Sequence, residues 1–263
     1  MLASVLLFAM MLIRKESLPK GNLFRGLTLF LALTAFSVPY ALVYWGQRLI
    51  PSALSSILFA TYPFFVALFS HAFLPNERMN GLKVLAVVLG FTGVYLIFSN
   101  ELALDTTIAL AGMTAIVISA VIQAFSLVIL KKFGEEFSPI GLNFASMSIG
   151  AVLLLVASVA AEDYSAVTFT RQAVLSIVFL AVFGNVVAFV AYFWLVKHID
   201  TVLLSMTSFI TPIVAVILGA LVLQETLSPR IFVGAALVLC GILAANGKEL
   251  VRMVMNKSAL LWN

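Results

Sequence analysis

The sequence is short of charge. Asp, Glu, Lys and Arg make up 10% of its 263 residues, against about 25% in soluble domains. The charges it has are kept out of the apolar runs: all eleven acids stand in breaks or at run ends, and no Lys or Arg stands mid-run. A proton or sodium relay at mid-membrane would want a carboxylate there, and an anionic solute a cation. There are two histidines and one cysteine. That leaves no Cys/His zinc set and no intrachain disulfide; Cys240, inside an apolar run, is expected as a small buried hydrophobe. His71 is expected to pack near a helix end, and His198 to sit solvated in a loop. The chain has no His-Glu-x-x-His, no paired aspartates and no Ser–His arrangement, so hydrolysis within the bilayer has no machinery. No enzyme, catalytic residue, metal or cofactor is expected. No segment alternates with period two, which argues against a membrane β-barrel.

What the sequence does have is apolar length. Hydrophobic residues make up 63% and the mean hydropathy is +1.17. Nine apolar runs, at 1–13, 24–45, 51–74, 82–98, 107–130, 139–161, 173–196, 202–223 and 231–245, are separated by short polar breaks. A membrane-crossing helix needs about 20 such residues, at a rise of ~1.5 Å each, for a core of ~30 Å. The first run is too short. Arg14 and Lys15 follow it rather than precede it, unlike a signal peptide, so it reads as the back half of a helix whose beginning lies upstream. Pro51, Pro139 and Pro229 sit at run starts, where a missing N–H costs nothing. Ser138 and Ser228 precede two of them as N-caps, and Asn80 caps the helix near Leu82.

The net charge of +4 reports orientation, because the basic residues alternate from break to break. Arg14, Lys15, Lys20, Arg25, Arg78, Lys83, Lys131, Lys132, Lys197, Lys248, Arg252 and Lys257 fall in one set of breaks, and only Arg48, Arg171 and Arg230 in the other. The rich set is expected to be cytoplasmic, with the C-terminus inside and Met1 starting on the outer side. No soluble basic face exists for nucleic acid.

The chain also repeats itself. Ser56-Ile57-Leu58-Phe59-Ala60-Thr61-Tyr62-Pro63 aligns with Ser205-Met206-Thr207-Ser208-Phe209-Ile210-Thr211-Pro212 at an offset of 149, and Glu77, Asn80 and Gly93 align with Glu225, Ser228 and Gly241 at 148. One period holds five helices, an odd number, so the copies are inverted relative to each other, a recurring plan in secondary transporters. The expected organisation is a first copy at 1–99 without its first helix, a second copy at 107–246, and a cytoplasmic tail at 247–263.

The stretch from Ser55 through Pro63 to Asn76-Glu77-Arg78, then Gly90 and Gly93, resembles the EamA domain of the drug/metabolite transporter (DMT) superfamily. Thr211-Pro212, Gln224-Glu225, Gly234 and Gly241 resemble its second copy. The resemblance covers essentially the whole chain. It implies an all-α membrane protein with two inverted repeats, ten helices in the family and about nine here, the first being missing. It also implies that the runs at 24–45, 51–74, 173–196 and 202–223 line a central cavity for a small solute.

Polar groups are costly inside a bilayer, so each one there is a candidate solute contact. Tyr40, Tyr62, Gln123, Asn143, Asn185, Tyr192 and Ser208 are the candidate substrate-binding residues. Ser37, Tyr40 and Tyr44 share one helical face, as do Asn185, Phe189 and Tyr192. Ser55, Ser56, Ser205 and Thr211 add hydroxyls. For hydroxyls the competing role is a bond to their own helix backbone or to a neighbour; for Asn143, Asn185 and Gln123 it is interior packing. Pro63 and Pro212 are expected mid-helix as hinges, each freeing a carbonyl, with a tolerated packing kink as the alternative. A neutral, aromatic and hydroxyl-lined cavity suits a neutral, zwitterionic or amphipathic metabolite or drug. The sequence therefore reads as an exporter working by alternating access in a bacterial inner membrane; the rival reading is a non-transporting subunit of a larger membrane complex. The expected partners are the small-molecule substrate and the lipid bilayer, with a homodimer allowed and no nucleic acid.

Overall fold

The computed structural model describes residues 1–50, 52–75, 80–98, 106–162, 169–210, 229 and 232–241, and among them there are helices and turns but no strand. The helices in chain order are α1 (Leu2–Ile13), α2 (Asn22–Gln47), α3 (Ser52–Phe59), α4 (Tyr62–Phe73), α5 (Gly81–Phe98), α6 (Thr106–Phe133), α7 (Pro139–Ala161), α8 (Arg171–His198), α9 (Thr201–Ser205) and α10 (Phe232–Gly241). By length and composition, α2, α6, α7 and α8 are each able to cross a membrane. Their outward faces fit that medium: Leu175, Phe179, Phe183 and Trp194 of α8 are all more than half exposed. A continuous apolar face of this kind marks contact with lipid or protein rather than water.

Local sequence sets the helix starts. Ser138 Oγ accepts from the Gly141 N–H with Pro139 in the first turn, and Asn80 Oδ1 accepts from the Lys83 N–H at 2.9 Å. Both are the caps expected from the sequence, each satisfying one of the unpaired N–H groups of a first turn. Asp200 Oδ1 does the same for Val202 and Leu203, at 3.0 and 3.3 Å.

The run expected as one helix over 51–74 is two. α3 stops at Phe59, Ala60 and Thr61 form a turn, and Pro63 lies in the first turn of α4 rather than mid-helix. Proline cannot bond the carbonyl four residues back and its ring crowds that carbonyl, so the chain turns and restarts where no N–H is needed. The Thr61 hydroxyl donates to Leu58 O at 2.6 Å across the turn. Two smaller expectations are also corrected. Cys240 is exposed, because Gly234, Val238 and Gly241 form the buried stripe of α10 and Cys240 is turned away from it. His198 closes α8 instead of lying in a loop; its ring stacks on Trp194 at 4.0 Å and its Nδ1 contacts Trp194 O at 2.7 Å. Pro51, Glu77, Pro212, Glu225 and Ser228 lie outside the described residues.

Both long mates of the sequence repeat contain a π-helical stretch at matching places: Ala32–Ser37 in α2 and Leu180–Val187 in α8. A π turn carries one residue more than an α turn and widens the helix locally, often at a functional position. In each, a polar side chain bonds the carbonyl five residues back. Ser37 Oγ donates to Ala32 O at 2.7 Å, and Asn185 Nδ2 donates to Leu180 O at 2.9 Å.

The chain forms two compact units, one from residues 1–42 and 125–199 and one from 43–124 and 200–263. Each draws on both sequence copies. In the first unit the end of α1 meets the start of α7, where Ser138 Oγ donates to the Glu16 carboxylate. The start of α2 and the end of α8 meet at the α6–α7 link. There Phe24 lies edge-on to Phe137 at 5.2 Å, and Lys197 Nζ donates to the carbonyls of Glu135 and Phe137 at 2.6 Å each. Lys131, at the end of α6, reciprocates onto Val196 O and Ile199 O at 2.6 and 3.2 Å. The repeat mates α1 and α7, and α2 and α8, thus run in opposite directions.

In the second unit the mates α5 and α10 approach through glycines. A Cβ on Gly93 would stand 2.5 Å from Gly234 O, and one on Gly241 would stand 2.8 Å from Ala86 O. Gly93 pairs with Gly241, and Ala86 with Gly234, at the same offset of 148, so the two approaches are one contact made twice. Nearby, Lys83 forms an ion pair with Asp200, and the buried hydroxyls of Ser70 and Thr201 bond at 2.6 Å.

Candidate solute site

Of the seven candidate solute residues, four lie in the first unit and three in the second. In the second unit, Tyr62 is buried at the start of α4 with its ring stacked on Phe59 at 5.6 Å. Gln123 donates to Ser119 Oγ one turn earlier on α6, at 3.1 Å. Ser208 lies in a short 3-10 turn after α9, and its Oγ is buried without a partner.

In the first unit three of the four gather around α8. Asn143, one turn into α7, is fully buried. Its Nδ2 donates to Pro139 O at 2.9 Å on its own helix and to Phe189 O at 3.1 Å on α8. Asn185 is four residues before Phe189 and Tyr192 three after, so all three share the expected face of α8. Asn185 has an N–H engaged by its π turn, and the Tyr192 ring lies 6.5 Å from that of Phe193. Tyr40 is partly buried on α2. The Phe36 ring of α2 lies 5.0 Å from Phe189 and 6.4 Å from Phe193, so aromatic surface flanks the stretch of α8 that Asn143 touches.

Sequence reasoning passed over two members of this neighbourhood. Ser146 and Thr28 are buried, and the hydroxyl oxygen of each has no hydrogen-bond partner. The signal for Ser146 was available, three residues beyond Asn143 on one helical face; Thr28 offered none, being one hydroxyl in an apolar run beside a basic end. Ser37, a face-mate of Tyr40 in the sequence, turns to its own backbone, with a longer approach to Gly150 O at 3.4 Å. The same holds for Ser205, whose hydroxyl donates to Val202 O at 2.6 Å.

The model of the EamA-like transporter family matches residues 1–99 and 110–247. The chain belongs to the EamA-like transporter family. The uncharacterized transporter YoaV of Bacillus subtilis is 32% identical over 75% of this chain and 68% of its own length. The uncharacterized transporter YvbV of the same organism is 27% identical over 83% and 70%. The uncharacterized inner membrane transporter YedA of Escherichia coli is 27% identical over 86% and 72%. A solved crystal structure superposes with a TM-score of 0.80 at 20% identity, covering 93% of this chain and 85% of that one, a likeness of fold. The protein is therefore an all-helical membrane protein of a transporter family.

Proposed function

We propose that the protein is a secondary transporter that moves a small neutral, zwitterionic or amphipathic metabolite or drug by alternating access. In this reading it is an exporter in a bacterial inner membrane, with its C-terminus on the cytoplasmic side. The observation that carries the reading is the opposed direction of the repeat mates in the first unit, α1 against α7 and α2 against α8. Two copies of one structural plan, inverted, can exchange conformations and so open one site to either side of a membrane in turn. Tyr40, Tyr62, Gln123, Asn143, Asn185, Tyr192 and Ser208 contact the solute in this reading, and Pro63 and Pro212 flex. Membership in a transporter family and an inner membrane relative support it.

The purified full chain in liposomes should move at least one member of a panel of amino acids, sugars and cationic drugs faster than protein-free liposomes do. Correctly inserted protein that moves none of them would favour a non-transporting subunit instead.

A further inference from the structure

The Asn143 amide is oriented without ambiguity. Both of its near neighbours on one side, Pro139 O and Phe189 O, are acceptors, so both N–H donors face them. Its Oδ1 then faces elsewhere, and it is buried with no partner. An amide whose donors are spent offers only acceptance.

Two further unpartnered oxygens lie close by. Ser146 is on the same face of α7, one turn on, and is fully buried. Thr28 of α2 is 4% exposed, and its Oγ1 has no partner. Thr28 and Ser146 lie on stretches of α2 and α7 that lead into one contact: a Cβ on Gly150 would stand 3.0 Å from Phe36 Cβ and 3.4 Å from Ala32 O, α2 and α7 run the same way, Ser146 is one turn before that contact on α7, and Thr28 is one to two turns before it on α2. A buried oxygen left without a partner costs stability, the more so where lipid supplies no water. Three of the five such atoms among the described residues, the others being on Ser148 and Ser208, lie on neighbouring stretches of two helices, where one donor-bearing ligand could satisfy them together.

Resting on the transporter reading, we infer that Asn143, Ser146 and Thr28 form a subsite for the hydrogen-bond-donating end of the solute, an ammonium or a hydroxyl group. A primary ammonium carries three N–H donors, one for each oxygen. A hydroxyl uses Asn143 Oδ1 as acceptor and takes a hydrogen bond back from Ser146 or Thr28. A carboxylate or phosphate is rejected, because Asn143 turns lone pairs toward it. Phe36 and Phe189 supply the adjoining apolar surface for the solute's body.

The test needs no knowledge of the natural solute. In the full chain, in nanodiscs, Cys240→Ser removes the native thiol and Ser146→Cys places one in the subsite. The probes are methanethiosulfonates bearing an aminoethyl, a hydroxyethyl or a sulfonatoethyl group, with each rate divided by that reagent's rate with 2-mercaptoethanol in the same buffer. We expect the donor-bearing reagents to be favoured over the sulfonate about tenfold, the size of one hydrogen bond to a charged or strongly polar group. Adding Asn143→Leu should abolish the preference. Should that variant fail to reach the membrane, Thr28→Val removes one oxygen without touching the Pro139 and Phe189 bonds, and should reduce the preference. A preference unmoved by both replacements, or a thiol at 146 that reacts with none of the three, overturns the subsite and leaves an ordered water as its occupant. Flux in liposomes with no head-group preference at residue 146 would sink the subsite and leave the transporter standing.

Discussion

The two compact units are held together by different chemistry. In the second, backbones come together where side chains are missing: Gly93 on Gly234, Gly241 on Ala86, and Gly46 on Gly112, where a Cβ would stand 3.0 Å from a carbonyl oxygen. In the first, helices are tied by side chains, with Asn143 reaching Phe189 O, Lys131 and Lys197 capping each other's neighbourhoods, and aromatic pairs between them. Lipid gives helices no hydrophobic reason to associate, so they must either approach closely or bond through polar groups. Close approach uses up the space between helices. Polar ties leave capacity over, and the three unpartnered oxygens of Asn143, Ser146 and Thr28 are such capacity. Among the described residues the second unit keeps one such oxygen, Ser208 Oγ, so the difference between the units is one of degree: most of the unspent polar capacity is in the first and most of the close backbone approach in the second.

The sharpest way to break that contrast is to add one methyl group to each unit. In the second unit Gly93→Ala puts a Cβ 2.5 Å from Gly234 O and 2.8 Å from Val238 Cγ2. The first of these is backbone and cannot rotate away, so the helices must part, at a cost of about 1–3 kcal/mol. In the first unit Gly141→Ala meets Leu18 Cδ2 at 3.7 Å and Ser138 Cβ at 3.9 Å, both ordinary contacts. There, alanine's better helix propensity should stabilise by up to about 1 kcal/mol. Thermal unfolding of both variants in detergent checks the pair; equal shifts would mean the units do not differ as described.

An effect of comparable size is expected at the ion pair of the second unit. Lys83 and Asp200 keep 16% and 20% of their side chains exposed, and Asp200 also caps α9. Asp200→Ala removes cap and partner together and should cost about 2 kcal/mol. Asp200→Asn keeps the cap and loses only the charge, so it should retain part of that stability. If the two variants unfold alike, the cap contributes nothing.

Much of the fold was legible because a bilayer demands long apolar runs and marks their ends with charge. The caps at Ser138 and Asn80, the repeat and the family were all readable from residue types at fixed spacing. The break at Ala60–Thr61 was half readable: Pro63 announced a disturbance, but a kinked helix and a restarted one have the same hydropathy. The π turns were not readable, since one extra residue in a turn leaves composition and apolar length unchanged. Cys240 was misplaced for a related reason: in a membrane helix the outer face is as apolar as the inner, and hydropathy does not separate them. Of the candidate site, Asn143 could be picked out as a deep amide, but the direction of its oxygen depended on where Phe189 O would lie. That carbonyl belongs to backbone 46 residues away, which no side-chain pattern reports.

The smallest expected change in stability tests the paired π turns, a feature that the mates α2 and α8 share. Ser37 and Asn185 bond the carbonyls of Ala32 and Leu180 within their own helices, and Ser37 in addition approaches Gly150 O of α7 at 3.4 Å. Ser37→Ala and Asn185→Ala should each lower stability by less than about 1 kcal/mol, the usual size of a side-chain bond between or within membrane helices. The effect on flux should be larger than that number suggests. A π turn holds its extra residue at little energetic advantage, and a side chain bonded to its first carbonyl fixes where the widening sits. Without that bond the widening can slide along the helix, and the face carrying Phe189 and Tyr192 turns with it. Flux in liposomes should therefore fall in both variants, and further in Asn185→Ala, because the face behind the π turn of α8 adjoins Asn143. Unchanged flux in both would reduce the π turns to packing features of two long helices. A loss confined to Ser37→Ala would point to its approach to Gly150 O, and so to the α2–α7 contact, as the part that matters.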